Sequence, residues 1–232
     1  MNCHTCVEKL IADAHDGSMS IHRHVSFHGF DPHGEVEIAR RRLPHWRQSG
    51  ATYFITFRLA DSLPQSLLHQ WRNEHAIWLR WHPPRWSADA QLEYGERFID
   101  RLQQWLDAGM GACHLRRSDV RTKVERSLLN FDGERYHIDA FVLMPNHVHA
   151  VIVPSRGYAL SMILKGIKGV SANECNKLLG RKSRFWMDES YDHIVRDANE
   201  LIVFRNYISA NPKKARLKPD EYSLQIRNAL AL

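Results

Sequence analysis

Two apolar, β-rich runs separated by only three residues constrain the fold of this chain more than any other feature. The runs are Tyr136 to Leu143 and His147 to Val153, and Met144-Pro145-Asn146 joins them. Strands connected by so short a link form a β-hairpin. The sequence therefore predicts antiparallel pairing in the second half of the chain.

The remaining periodicity predicts an α+β fold. From Tyr53 to Leu59, every second residue is apolar, which predicts a strand. In four segments between Leu67 and Leu179, apolar residues recur at helical spacing. One of these helices is predicted to start with Ser118 as its N-cap. A last helix is predicted from Asp197, which forms a capping box with Glu200, to Asn211, because proline disfavours helical geometry in the residue before it. Without regular strand–helix–strand alternation, these elements favour an antiparallel sheet covered by helices.

Length and composition exclude several classes of protein. A chain of 232 residues with 44% hydrophobic and 25% charged residues is ordinary for one globular domain with an appendage. No run approaches the roughly 18 apolar residues that cross a bilayer, and no secretory signal is visible at the N-terminus. Four scattered cysteines are too few for a disulfide framework, so we expect a cytoplasmic protein that has no membrane partner. The net charge of +6 mildly favours a polyanionic partner.

His147 and His149 form the first candidate for chemistry. Alternate residues of a strand point to one face, so both imidazoles lie on the same side of the sheet, roughly 7 Å apart along the strand. Two imidazoles at this spacing can bind one divalent cation. The alternative is a pair of half-buried histidines beside a turn, and His-x-His alone does not decide between them.

Tyr207 and Asn211 form the second candidate. They are four residues apart on the last predicted helix and are therefore neighbours on one face, beside the apolar stripe. A tyrosine phenol near a metal ion can act as a nucleophile, and an asparagine amide oxygen can complete a three-ligand metal face. The alternative is a surface tyrosine and an asparagine that precedes a proline.

Several motifs in order resemble the REP-associated tyrosine transposases, which belong to the HUH single-tyrosine transposases. They include Met144 to His149, Glu189 to His193, Val195 to Asp197, Asn206 to Ile208 and Asn211-Pro212. Arg41 to Trp46 and Tyr53 to Pro64 resemble the beginning of the same family. Since this resemblance covers about residues 41–218, we predict a transposase domain there. An irregular, His-rich extension would occupy residues 1–40, and a tail residues 219–232.

The resemblance also implies a fold and a site. The fold would be a ferredoxin-like α+β sheet with the histidine pair on a central strand and the tyrosine on a C-terminal helix. His147, His149 and Asn211 would bind a divalent metal, Mg²⁺ or Mn²⁺, and Tyr207 would be the catalytic residue. Family members cut single-stranded DNA beside hairpins through a 5′-phosphotyrosine intermediate. Monomers and homodimers both occur in the family.

Basic residues near these motifs are candidates for binding the DNA backbone. They are Lys165, Lys168, Lys177, Arg181, Lys182, Arg184, Lys213, Lys214, Arg41 and Arg42. A solvated helix face is the alternative for such a run.

The sequence therefore predicts a metal-dependent endonuclease and strand transferase that acts on single-stranded or hairpin DNA. No Walker-type glycine-rich loop is present, so we expect no dependence on nucleotide triphosphates. Two alternatives remain, a hairpin-DNA-binding protein that does not cut, and a metal phosphodiesterase in which water attacks and Tyr207 only positions the substrate.

Overall fold

The computed structural model describes residues 25–40, 44–82, 87–227 and 230–231. Its strands are β1 (Val25–Ser26), β2 (Glu37–Arg40), β3 (Pro44–Arg47), β4 (Tyr53–Arg58), β5 (Tyr136–Leu143), β6 (His147–Pro154), β7 (Tyr191–Ile194), β8 (Ser223–Ile226) and β9 (Leu230–Ala231). Its α-helices are α1 (Gln65–Trp81), α2 (Ala88–Tyr94), α3 (Arg101–Asp107), α4 (Ser118–Leu129), α5 (Leu160–Leu178) and α6 (Ala198–Lys214). A π-helical segment, Gly95–Asp100, connects α2 to α3.

A five-stranded antiparallel sheet organises the molecule. Its strand order is β7-β4-β6-β5-β8, which makes β6 the central strand. The path β4, α4, β5, β6, α5, β7 is the βαββαβ arrangement of ferredoxin-like folds. The predicted hairpin, the α+β class and the central position of the histidine strand are all confirmed.

The two faces of the sheet carry different helices. One face packs against α4 and α5 through an apolar cluster that includes Phe57, Val148 and Ile163. The other face packs against α6 through a cluster that includes Val151 and Ile208. The odd-numbered residues of β6, including both histidines, point to the α6 face, because successive side chains of a strand alternate.

A β-bulge in β5 fixes α6 on the sheet. The register of β5 against β6 shifts between Ile138 and Ala140, so Asp139 lies at the irregular position. Its carboxylate is fully buried and accepts two hydrogen bonds of 2.7 Å from the guanidinium of Arg205 in α6. This bidentate pair attaches α6 to β5 at Arg205, two residues before Tyr207.

The helical segment between β4 and α4 has small apolar clusters of its own. Leu63, Leu68 and Leu106 form one of them, and Trp71, Trp78 and Phe98 form the core of the other. These clusters join α1 to the continuous helical stretch from α2 to α3. Trp71 and Trp78 are therefore core residues of this segment.

Two helix ends differ from the predictions. Helix α6 continues through Pro212 to Lys214, although the sequence predicts an end at Asn211. Asn211 and Pro212 are both buried, so packing against the sheet outweighs the cost of the missing proline N–H, about 3 kcal/mol. Helix α4 has Arg117 as its N-cap, and Ser118 is its first helical residue. Asp197 is the N-cap of α6, as predicted.

Segments on both sides of the predicted 41–218 domain contact the sheet. Phe30 packs against its core and donates its backbone N–H to the carbonyl of Val195, while the carbonyl of His28 accepts from Thr52. At the other end, β8 is the edge strand beside β5. Within the part of the chain that the structure describes, no helix is long and apolar enough to cross a membrane.

Candidate active site

His147 and His149 lie side by side on β6, under α6. Both side chains are fully buried, and their ring centroids are 4.5 Å apart. The prediction that both share one face of the sheet is confirmed.

Hydrogen bonds fix the orientation of the His147 ring. The amide nitrogen of Asn146 donates to the backbone carbonyls of Leu106 and Met110, at 3.2 and 3.0 Å. Its amide oxygen therefore faces Nδ1 of His147, 2.7 Å away, and that Nδ1 must carry the proton. The lone pair of His147 is consequently on Nε2, which is buried and has no hydrogen-bond partner.

His149 is held by the neighbouring strand. Its Nδ1 is 2.8 Å from Oγ1 of Thr56, and its Nε2 is 3.5 Å from the hydroxyl of Tyr207. Burial lowers the pKa of His147 to about 3, and burial together with the neighbouring His147 lowers the pKa of His149 well below its usual value. Both rings are therefore neutral at physiological pH, which is the form that binds metals.

The phenol of Tyr207 reaches this pair from α6. Its hydroxyl donates a hydrogen bond of 2.9 Å to Oε1 of Gln103. Burial raises the pKa of Tyr207 strongly, the charge of Asp107 adds to this effect, and the amide of Asn211 opposes it. The ammonium of Lys214 lies 5.3 Å from the centre of the phenol ring. A phenol in these surroundings is protonated unless a bound cation favours the phenolate.

Asn211 lies one turn after Tyr207 and is fully buried. The oxygen of its side-chain amide has no hydrogen-bond partner. Buried amides are normally paired, so this side chain has free capacity for a ligand in the site. The structure thus brings His147, His149 and Tyr207 together, with the Asn211 amide next to the phenol.

Gln103 and Asp107 also belong to the site, although no motif of the sequence includes them. They lie one turn apart on α3, where Gln103 contacts the phenol and Asp107 approaches His147. Ligand atoms of Asp107, His147 and His149 all lie within 4.8 Å of one another. Burial raises the pKa of Asp107 to about 6, although Lys214 opposes this shift. The only available signal was the four-residue spacing of two polar side chains within an apolar helical stripe.

The candidate DNA-binding residues are distributed over both faces of the sheet. Lys213 and Lys214 end α6 and are exposed near the histidine face. Lys165, Lys168 and Lys177 are on α5, which covers the opposite face, so the structure does not bring them next to the histidines.

Three of these basic residues, Lys168, Arg181 and Arg184, have partners on the protein. Lys168 donates to the carbonyl of Asp188 and the hydroxyl of Ser190. Arg181 contacts Ser183 and His114, and Arg184 pairs with Asp188 at 3.0 Å. Lys182 is exposed, and Arg41 and Arg42 lie outside the described residues.

Arg58 is a further basic residue on the histidine face, outside the candidates for DNA binding. It is directly opposite His147 in the β4–β6 pairing, and its guanidinium donates to the hydroxyl of Ser62. Burial and the charge of Arg72 lower its pKa to about 10, so it stays charged at neutral pH. The histidine face therefore carries positive charge beside the two imidazoles.

Comparison with known proteins supports the resemblance seen in the motifs. Residues 116–211 match the family model described as "Transposase IS200 like", a segment that includes both histidines, Tyr207 and Asn211. This match confirms the transposase resemblance over those residues. No curated protein is detectably similar to the chain.

Two solved structures are similar to the chain at low identity. A REP-associated tyrosine transposase bound to a REP hairpin is 17% identical, with a TM-score of 0.43 over 77% of this chain and 73% of that chain. A protein from Deinococcus radiodurans R1 described as a transposase is 12% identical, with a TM-score of 0.33 over 69% of this chain and 89% of that chain.

Proposed function

We propose that this chain, whose residues 116–211 match IS200-like transposases, is a metal-dependent single-strand DNA endonuclease and strand transferase. One observation carries the proposal most strongly. The hydroxyl of Tyr207 lies 3.5 Å from Nε2 of His149, beside a second neutral histidine whose Nε2 is free. A candidate nucleophile thus lies next to candidate metal ligands in a buried site.

The chemistry follows from the phenol oxygen. Tyr207 loses its proton, and its oxygen attacks the phosphorus of a DNA phosphodiester in line with the leaving 3′ oxygen. The bond between phosphorus and the 3′ oxygen breaks, and that oxygen takes up a proton. The products are a 5′-phosphotyrosine on Tyr207 and a free 3′-hydroxyl. Because the ester retains the bond energy, a 3′-hydroxyl can reverse the step and rejoin strands without an external energy source.

The donor atoms of the site fit a divalent metal. Nε2 of His147 and the amide oxygen of Asn211 are buried without partners, and ligand nitrogens of His147 and neutral His149 lie within 4.8 Å of each other. We assign His147, His149 and Asn211 as ligands of Mg²⁺ or Mn²⁺. When bound, such an ion would neutralise charge on the phosphate oxygens and favour the phenolate form of Tyr207.

We propose single-stranded or hairpin DNA as the substrate. Lys213, Lys214 and Arg58 supply positive charge on the histidine face, and Lys214 is close enough to the phenol to contact a bound phosphate. Exposed Lys165, Lys177 and Lys182 are assigned a role in binding the backbone away from the reaction centre. Since α6 packs on the sheet of its own chain, a monomer contains both the histidines and the tyrosine.

Incubation with end-labelled single-stranded DNA that contains a hairpin tests this function. We expect a covalent protein–DNA adduct that forms with Mn²⁺ and is prevented by a chelator. Cleavage without an adduct would support water as the nucleophile, and retention without cleavage would support a DNA-binding protein. His149→Ala should abolish the adduct while most DNA binding remains, because an imidazole ligand is not a contact to the DNA backbone.

A further inference from the structure

We infer that Asp107 supplies an additional, carboxylate ligand to the metal, beside the two histidines and the amide of Asn211. This inference rests on the proposed metal site and extends it to a residue of α3, outside the segment 116–211 that matches the transposase family. The resemblance to the family assigns no role to this aspartate.

No hydrogen bond joins the side chains of Asp107 and His147. Nδ1 of His147 donates its proton to Asn146, so Nε2 presents a lone pair toward Oδ1 of Asp107, 3.7 Å away. Both of these atoms are buried, and neither has a hydrogen-bond partner. A protonated carboxyl would donate to Nε2 at a heavy-atom distance of about 2.7 Å, much shorter than the observed one. Two facing acceptors are stabilised by a cation between them.

The separation of the two atoms suits a shared ion. Ligand atoms that are each about 2.1 Å from one metal ion are roughly 3.0–3.6 Å apart when they subtend 90–120°. The observed 3.7 Å between Oδ1 and Nε2 is close to this range. All three ligand atoms, including that of His149, are within 4.8 Å of one another. Small side-chain movements therefore bring them onto a single ion.

Local structure holds the carboxylate in place. Asp107 is the last residue of α3, and the amide of Asn146 binds the carbonyls of Leu106 and Met110 on either side of it. Asn146 therefore orients His147 and the end of α3 at the same time. One carboxylate and two imidazoles are a common ligand set for divalent metals, and the negative charge favours hard ions such as Mn²⁺.

Calorimetric titration of the full-length, metal-free protein with Mn²⁺ tests the inference. We expect Asp107→Asn, which keeps the shape and removes the charge, to weaken Mn²⁺ binding by at least about tenfold. Glu96→Gln removes the same charge from an exposed position on the same helical stretch and should leave the affinity unchanged. His149→Ala should weaken binding as well. If Asp107→Asn binds Mn²⁺ like the wild type while His149→Ala does not, the inference is wrong and the proposed function stands.

A second variant distinguishes ligation from structural support. Asp107→Cys places a soft thiolate at the same position, and we expect it to bind Cd²⁺ with a thiolate-to-metal charge-transfer band in the ultraviolet. Adding His149→Ala to this variant should weaken the binding that produces the band. A folded Asp107→Cys protein without the band would overturn the inference, whatever the outcome of the DNA-cleavage assay. An absence of covalent adducts in a wild-type protein that binds Mn²⁺ would instead count against the proposed function alone.

Discussion

The hydroxyl of Tyr207 donates its hydrogen bond to Oε1 of Gln103, at 2.9 Å, and His149 lies farther away, at 3.5 Å. The amide of Gln103 is not a base and cannot remove the proton of the phenol. Gln103 therefore orients the phenol oxygen but does not make it a stronger nucleophile. Replacement of Gln103 by Ala should leave the phenol free to rotate. We expect the rate of adduct formation to fall about tenfold, the value of a lost hydrogen bond of about 1.4 kcal/mol, while hairpin binding is unchanged. Single-turnover kinetics with labelled DNA measure this rate.

Gln104→Ala is the matched control for Gln103, because Gln104 is the next residue of α3 and its side chain is exposed. It should react like the wild type. Equal rates for Gln103→Ala and wild type would show that the hydrogen bond has no positioning role.

The buried pair of Asp139 and Arg205 predicts a large effect on stability. Asp139→Asn removes the buried negative charge that the guanidinium of Arg205 binds, so we expect the free energy of unfolding to fall by about 3–5 kcal/mol. Urea denaturation measures the change. The exposed pair of Arg184 and Asp188 is the control, and Asp188→Asn should cost less than about 1 kcal/mol. Similar losses for both variants would contradict the role of the buried pair.

The buried histidines predict acid sensitivity of the metal-free protein. Unfolded histidines take up protons below a pH of about 6.5, whereas burial keeps the folded pKa of His147 at about 3 and that of His149 well below its usual value. The unfolded state therefore binds more protons, and stability falls as the pH drops from 6.5. Each histidine lowers the free energy of unfolding by up to about 1.4 kcal/mol for each unit that the pH falls. In chelator, His149→Gln should show a shallower loss of stability than the wild type as the pH falls below about 6.5. Parallel pH curves would contradict the burial of a neutral His149.

The N-terminal contacts predict where the domain can be shortened. Removal of residues 1–40 deletes Phe30 from the core, together with the backbone hydrogen bonds of His28 and Phe30. We expect this deletion to cost about 2–4 kcal/mol of stability relative to a deletion of residues 1–24, which retains these contacts. Thermal denaturation of the two truncated proteins tests this. Equal melting temperatures would place the domain boundary near residue 40, as the sequence alone predicts.

The parts of the fold that could be predicted from the sequence are those encoded locally. The period of two in β6 and the three-residue link place both histidines on one face, and the spacing in α6 places Tyr207 and Asn211 one turn apart. The face of the sheet against which a helix packs depends on the fold of the whole domain, and the sequence of the helix does not specify it. For this reason the sequence does not indicate that the lysines of α5 lie on the face opposite the histidines.

Other features depended on packing between distant segments. Helix α6 continues through Pro212, which is buried in the folded protein. Asp139 reaches Arg205 from a bulge, and a bulge has no signature in a strand pattern. Asp107 is a single acidic residue in a helix, and only the fold brings it to His147.

Tyr207→Phe tests the central claim most directly, because it keeps the ring and its packing and removes only the oxygen. The ring contacts Phe54 and His149 edge to face, at 5.8 and 5.1 Å between centroids, so we expect the variant to fold and to bind hairpin DNA normally. Wild-type protein with Mn²⁺ should give an adduct that mass spectrometry maps to a peptide containing Tyr207, joined to the 5′ phosphate of the DNA fragment downstream of the cut. The variant should give none. An adduct that persists in Tyr207→Phe, or that maps to Tyr191 or Tyr158, would contradict the proposed nucleophile.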